Sequence, residues 1–289
     1  MTRPAGRPRR PISRVNRPVR PDRTGAARRV ASRAAGLWIV PVALLAWEAA
    51  TRVAAAVYFP PPSLIVVHLH ELWFSGPAGR AFLTEDAVDH LLPSLARVVV
   101  AWVAACVAAV ALGVLLGRSR LLGDVTEPLI HFFRSVPPPL LIPIFMTMTG
   151  VGTPLQITAI VFGVVWPVLL NSLDGARHVD RRYLDTCQAF GLSRTIRLTR
   201  VILPAAAPKI FAGLRLSIGL ALIMMIISEY IGSTEGVGYR MLVAQGQVDI
   251  PSMWTAIVIL GLLGLLFNAA FLHVERRALA WHSGAHDTP

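Results

Sequence analysis

The sequence predicts an all-α, polytopic membrane protein of about six transmembrane helices, and three observations predict it. Of 289 residues, 54% are hydrophobic and 15% charged, with a mean hydropathy of +0.58. A soluble domain carries about 25% charged residues, so this chain has too little polar side chain to coat a globule of its length. Its apolar residues gather in six blocks, each near the ~20 residues that a helix needs to cross the hydrocarbon core. Its arginines gather on alternate connections between those blocks, as basic residues do on the cytoplasmic side of a membrane.

Residues 1–34 are rich in Arg, Pro and Gly and hold almost no large apolar side chain. They cannot bury a core, and a disordered cytoplasmic tail is expected. Lys209 is the single lysine, so 27 of the 28 basic residues are arginine, and 11 of these fall between Arg3 and Arg33. This tail and one internal loop hold nearly all of the net charge of +12. Both adjoin apolar blocks, which is topology signal, and no nucleic-acid partner is expected. The arginine run is expected to sit on anionic lipid. A mitochondrial transit peptide shares this composition, and the tail alone does not separate the two.

The first block runs from Gly36 to Phe59, interrupted by Trp47-Glu48 and Arg52. Ala54 and Ala56 imitate a signal-peptidase site, but the charged leader and the apolar stretch are both too long for a signal peptide. An uncleaved first span is expected. The later blocks run about 96–117, 128–148, 153–172, 209–232 and 253–274. His131, Arg134 and Pro137-Pro138-Pro139 interrupt the block at 128–148.

The connections alternate without exception. The loop over 60–95 has only Arg80 against Glu71, Glu85, Asp86 and Asp89. Arg118 and Arg120 follow the second span, and no arginine follows the third. The fourth connection, about 173–208, holds Arg177, Arg181, Arg182, Arg194, Arg197 and Arg200. Arg240 stands with Glu235 and Asp249 after the fifth span, and Arg276 and Arg277 close the sixth. Six spans over 35–278, with both termini cytoplasmic and a tail at 279–289, satisfy this pattern.

Cys106 lies in an apolar block and Cys187 in the Arg-rich loop, so no disulfide is expected between them. His68 and His70, two apart, would face different ways on a helix and read as loop histidines. No metal-ligand spacing exists.

The fourth connection carries the most information. Residues 181–190 have helix-compatible spacing, with Leu184, Cys187, Gln188 and Phe190 on a partly apolar face. Gly191 fits the left-handed position just past a helix end. Ser193 fits the N-cap of a second short helix, which Pro204 and Pro208 are expected to close before the next span. Periodicity alone leaves open a solvated basic loop with no partner.

This loop resembles the EAA motif of binding-protein-dependent ABC importer permeases. Asp185-Thr186-Cys187 stands where that family has Glu-Ala-Ala, Ala189 follows, and Gly191 and Leu203-Pro204 stand as the family has them. The chain departs from the motif at three positions. Trp47-Glu48, Pro60-Pro61-Pro62-Ser63, Leu95-Ala96-Arg97-Val98, Gly113 with Gly117, and Val136-Pro137-Pro138 look like the nitrate/sulfonate/taurine branch. So do Gly150 and Gly152, Trp166-Pro167 with Asn171, Gly213 and Arg215, Glu229, and Gly236 and Gly238. The similarity covers about 36–278.

The resemblance implies a type I importer permease in a bacterial plasma membrane. Its loop would be the coupling helix that docks on a cytoplasmic ATP-binding subunit. It implies an extracytoplasmic substrate-binding protein, a pair of permease chains, most simply a homodimer, and alternating access without covalent chemistry. A small anion such as a sulfonate, taurine or nitrate is the implied cargo, although relatives take vitamin precursors and bicarbonate. Lys209 follows Pro208 with no glycine-rich loop, so this chain has no P-loop, and a separate subunit must hydrolyse the ATP. No enzyme activity and no cofactor are expected in this chain.

Two features touch the path. Glu229 lies near the outer end of the fifth span and Arg215 about 14 residues earlier, ~21 Å along a helix, so the two cannot pair. Glu229 reads either as lining the translocation path with Pro137, Pro138, Trp166 and Asn171, or as a boundary carboxylate or partner to another span. Arg215 reads as snorkelling. The proline run must break backbone bonding, either beside a cavity or at a span end. Gly113 and Gly117 permit close helix packing. The rival to an ATP-driven permease is an ion-coupled secondary transporter, which would show inverted repeats and midplane charges. No convincing repeat is visible. A membrane-embedded enzyme would need clustered His, Asp or Glu in its spans, and the sequence has none.

Overall fold

The computed structural model describes residues 38–54 and 57–280. The expected tail over 1–34, Ala56 and the C-terminal residues 281–289 lie outside the described residues. The chain divides after Ala54 into two units. The first holds α1, Ile39–Ala54. Its two charges, which interrupt the apolar run, neutralise each other one turn apart, with Arg52 Nε donating to Glu48 Oε1 at 2.6 Å.

The second unit begins with α2, Pro62–Leu69, which runs on through a π turn over His70–Phe74. Four helices are then long and apolar enough to cross a membrane: α3 (Ala87–Arg118), α6 (Thr153–Arg177), α8 (Arg194–Gly232) and α10 (Ile250–Ala278). Between α3 and α6 lie α4, Arg120–Ser135, a 3-10 turn over Pro138–Leu141, and α5, Ile142–Thr149. The short helices α7 (Arg181–Ala189) and α9 (Val237–Gly246) flank α8 in sequence. The fold class is as the sequence predicts, all helical among the described residues.

Helix α6 is the centre of the second unit. It packs along α3 on one side and α8 on the other. Ala101, Ala105, Ala109 and Gly113 recur every fourth residue on α3 and are all buried. A Cβ on Gly113 would lie 2.6 Å from the Leu169 carbonyl and 2.7 Å from Ser172 Cβ, and one on Gly117 would lie 2.5 Å from the Leu173 carbonyl. Arg97 meets Thr153 at the other end. The Arg97–Thr153, Gly113–Leu169 and Gly117–Leu173 contacts keep a constant offset of 56 residues, so α3 and α6 run parallel in one register with their backbones in contact. The Gly113 and Gly117 pair thus does what its spacing suggests. One apolar core fills the middle, a second surrounds Trp73, Val237 and Ile259 at one end, and a third surrounds Val179, Ile202 and Ala206 at the other.

Three expectations need correction. The segment 60–95, read as a loop, is largely helical, and His68 and His70 sit on that helical stretch, where Trp73 is fully buried beneath it. The block at 128–148 is not one helix, because α4 and the Pro138–Thr149 segment meet at 86°. Val136 precedes a proline, whose ring pushes it out of the helical region to φ −77, ψ 119. Finally, Pro204 and Pro208 do not close the second arm of the fourth connection. That arm continues through a π turn over Leu198–Ile202 into α8, a helix of 39 residues. In the π turn the Leu203 N–H reaches back to the Leu198 carbonyl. The widened backbone then leaves room for the Pro204 ring at the start of the resumed α segment.

Gly113→Ala should lower the melting temperature in detergent, since overpacking a tight contact costs about 1–3 kcal/mol. Gly219→Ala, with nothing near its Cβ, should leave it nearly unchanged. Equal effects would mean that α3 and α6 are not in backbone contact.

Candidate functional site

The fourth connection is a helix–glycine–helix hairpin. Asp180 caps α7, its carboxylate accepting from Arg182 N at 2.9 Å. At the other end Leu192 N bonds to the Cys187 carbonyl at 2.9 Å and Gly191 N to the Gln188 carbonyl at 3.0 Å. Gly191 has φ +62, which completes the left-handed helix stop that its position predicts. Ser193 Oγ then accepts from Ile196 N at 3.4 Å and opens α8.

Of the residues read as coupling positions, Asp185, Thr186, Ala189 and Gly191 are exposed on this hairpin, and Cys187 is buried beneath it. Asp185 makes no ion pair among the described residues, and Thr186 Oγ1 donates to the Arg182 carbonyl at 2.8 Å. Leu203 and Pro204 lie farther along, at the base of α8. Leu203 and Leu184 both pack on the cluster around Val179 and Ile202, which fixes the two arms to the bundle. The hairpin presents Tyr183, in the first turn of α7, and Phe190, beside Gly191, 58% and 78% exposed, among arginines. Bulky apolar rings left in water beside cations form a surface suited to a partner.

The residues read as candidate path positions fall in three places. Pro137 and Pro138 make the bend after α4. Phe133, at the end of α4, stacks on Trp166 with centroids 5.8 Å apart and planes 6° from parallel, so Trp166 stands beside that bend. Asn171 lies farther along α6, where its Nδ2 donates to the Pro167 carbonyl at 2.8 Å and its Cβ faces Gly213 of α8. Glu229 stands apart from all of these and is fully buried.

Glu229 holds together the end of the bundle opposite the hairpin. Its Oε1 accepts from Ser94 Oγ at 2.6 Å and from Arg97 Nη1 at 3.4 Å, and its Oε2 accepts from Gly238 N at 3.0 Å. Arg97, 6% exposed, also donates through Nε to Thr153 Oγ1 at 3.2 Å and pairs with Glu235. Ser94 Oγ accepts from Val237 N, and His90 Nδ1 from Gly236 N, both at 3.1 Å. For Nδ1 to accept, the ring proton must sit on Nε2, 3.6 Å from Asp86 Oδ1. Asp86 in turn pairs with Arg240 at 2.6 Å.

Three successive backbone N–H groups at the start of α9 are therefore satisfied by side chains of α3 and α8. A carboxylate at a helix N-terminus is favoured by the helix dipole. Gly236, at φ +115, is required there, because a Cβ would run into the Glu229 carboxyl.

Glu229 stands out in the sequence; its cation does not. Arg97 was visible only as part of Leu95-Ala96-Arg97-Val98, 132 residues away. The signal that could have found it is the spacing of His90, Ser94 and Arg97, which puts three polar side chains on one face of an otherwise apolar helix. Arg215, read as snorkelling, is about half exposed and pairs with Glu275 of α10.

Residues 109–279 match the family model described as binding-protein-dependent transport system inner membrane component. The chain is similar to the taurine transport system permease protein TauC of Escherichia coli (strain K12), 29% identical over 82% of this chain and 85% of that one. It is similar to the putative aliphatic sulfonates transport permease protein SsuC of Bacillus subtilis (strain 168), 28% identical over 86% and 87%. With the nitrate import permease protein NrtB of Leptolyngbya laminosa it shares 32% identity over 64% and 67%. Among solved structures, a chain of the inward-facing MetNI methionine ABC transporter superposes with a TM-score of 0.58 at 19% identity. That match covers 68% of this chain and 99% of that one, and shows a shared fold.

Arg97→Ala leaves Glu229 buried without its cation and should destabilise the protein by about 3–5 kcal/mol. In a thermal-melt cycle with Glu229→Ala, the double variant should lose clearly less than the two single losses added together. Strict additivity would show that the two residues do not interact.

Proposed function

The chain belongs to the binding-protein-dependent transport system inner membrane components, and from that premise we propose that it conducts a small anion through an ATP-driven importer. TauC, SsuC and NrtB carry taurine, sulfonate and nitrate in their names, and a sulfonate, taurine or nitrate is the cargo proposed here. ATP would be hydrolysed by cytoplasmic subunits, substrate delivered by an extracytoplasmic binding protein, and the path formed between two copies of this chain by alternating access. The hairpin of α7 and α8 would lie in the cytoplasm, as would both termini, which agrees with the alternating arginines.

One observation carries the coupling role. The exposed hairpin, with Tyr183 in the first turn of α7 and Phe190 beside Gly191, is continuous with α8, which runs through one π turn for 39 residues, past Glu229 to Gly232. At ~1.5 Å per residue that is ~58 Å of continuous helix, so a displacement of the hairpin would pass along one element toward the far side of the bundle. Asp185, Gly191 and the exposed ring of Phe190 would meet the ATP-binding subunit. Leu203 and Pro204 would hold the arm that bears them. Pro137, Pro138, Trp166 and Asn171 remain the proposed path residues, with Glu229 fixing the opposite end.

Gly191→Trp forces a non-glycine residue into the left-handed region, at ~1–2 kcal/mol, and adds a bulky ring at the docking face. Capture of an ATP-binding subunit in a mild-detergent pull-down from the native host should fall at least ~10-fold, the equivalent of 1.4 kcal/mol. Substrate uptake should fall with it. If intact wild-type protein captures no such subunit, and uptake survives ATP depletion while the ion gradient persists, the chain is an ion-coupled transporter instead.

A further inference from the structure

A groove of about 1090 Å³ runs between α3 and the base of α8. Its walls are aliphatic, with Val107, Ala111 and Leu115 on α3 facing Ile202, Ile210 and Leu214 on the other side. At the hairpin end the character changes, and Arg118, Arg194 and Arg197 line the groove together with Ser119. No carboxylate lines it. None of the three arginines has an ion-pair partner among the described residues, unlike Arg80, Arg97, Arg177, Arg215 and Arg240 of the same unit. Arg118 is held in place by a bond from Nη1 to the Ala176 carbonyl at 3.3 Å.

We propose that this groove binds an anionic phospholipid of the cytoplasmic leaflet, its phosphate on Arg118, Arg194 and Arg197 and one acyl chain along α3 and α8. The charge pattern selects this occupant over an apolar helix of a second copy, which would leave three guanidinium groups unpaired against hydrocarbon. Guanidinium groups match phosphate in geometry and charge. Ser119 adds the N-terminus of α4, whose dipole favours an anion. The dimensions agree. From Cys106 to Arg118 the α3 wall rises ~18 Å at 1.5 Å per residue, close to the ~15 Å that one leaflet of a ~30 Å hydrocarbon core provides.

Arg194 and Arg197 belong to the second arm of the hairpin, so the lipid ties that arm to the membrane face. The assignment to the cytoplasmic leaflet rests on the orientation proposed above. The binding site itself requires only that the chain lie in a bilayer.

The test is native mass spectrometry of the protein released from nanodiscs of equal phosphatidylglycerol and phosphatidylcholine. Wild type should retain one phosphatidylglycerol per chain, favoured ~100-fold over phosphatidylcholine by the worth of three basic residues beside an anionic headgroup. Arg118→Gln/Arg194→Gln/Arg197→Gln should reduce that preference to near one. Ala111→Trp, which fills the exposed mouth of the groove and keeps all three arginines, should abolish retention without lowering the melting temperature. Millimolar inorganic phosphate should not displace the lipid.

Equal retention of the two lipids, or a preference untouched by the triple substitution, overturns the proposal. Retention that survives Ala111→Trp, or is lost to phosphate alone, reduces the site to an anion site and overturns the lipid assignment. Should the triple variant not fold, Ala111→Trp decides alone. No arm depends on ATP or on transport, so its failure leaves the permease reading standing, and the converse also holds.

Discussion

The pairing of Arg97 with Glu229 is the constraint on which the rest of the second unit depends. Neither charge tolerates burial alone, and each satisfies the other only if α3 and α8 are held at one height. The same two side chains reach two further elements. Arg97 bonds Thr153 at the start of α6, and Glu229 bonds the first turn of α9. Four elements that hydrophobic packing alone would let slide are thereby fixed in register at one end. Apolar burial has no preference for a given register in lipid, where tails are as apolar as leucine. Polar contacts at a single level supply that preference.

The second constraint is steric. With the register set at Arg97 and Thr153, the small residues of α3 fall on α6 all the way to Gly117 and Leu173. Close backbone approach is possible only because the stripe of alanines and glycines has no long side chain in it. A polar pin and a small-residue seam therefore specify the same arrangement independently. This consistency between local sequence and tertiary contact is what a unique fold requires.

Much of this was legible in the sequence, and the failures have physical causes. The four long span helices, the helix stop at Gly191, the cap at Ser193 and the seam at Gly113 and Gly117 are local features, decided by a few neighbouring residues. The Arg97 partnership is not local, because a pair 132 residues apart leaves no periodic trace. Pro204 and Pro208 do not end the helix as their type suggests, Pro204 because a π turn opens the backbone just before it and Pro208 because the long helix carries it in its interior, whereas three prolines in succession do break the backbone at Pro137 and Pro138. The candidate site was half legible. The hairpin followed from chain-local signals, whereas the gathering of Ser94, Arg97, Glu229 and Gly238 required the tertiary structure.

The two ends of α8 differ in stiffness, and the difference bears on how a permease of this kind would work. At the Glu229 end the helix is pinned by ion pairs, buried hydroxyls and the capped start of α9. At the hairpin end it contains a π turn over Leu198–Ile202 followed by Pro204 and Pro208, the features at which helices bend. A displacement applied to the hairpin would concentrate its bending in that weak segment, and the part carried onward would move α8 as a rod. The weak segment also forms one wall of the arginine-capped groove, through Leu198, Ile202 and Leu203. An occupant of the groove would therefore pack against the place where the helix yields most easily.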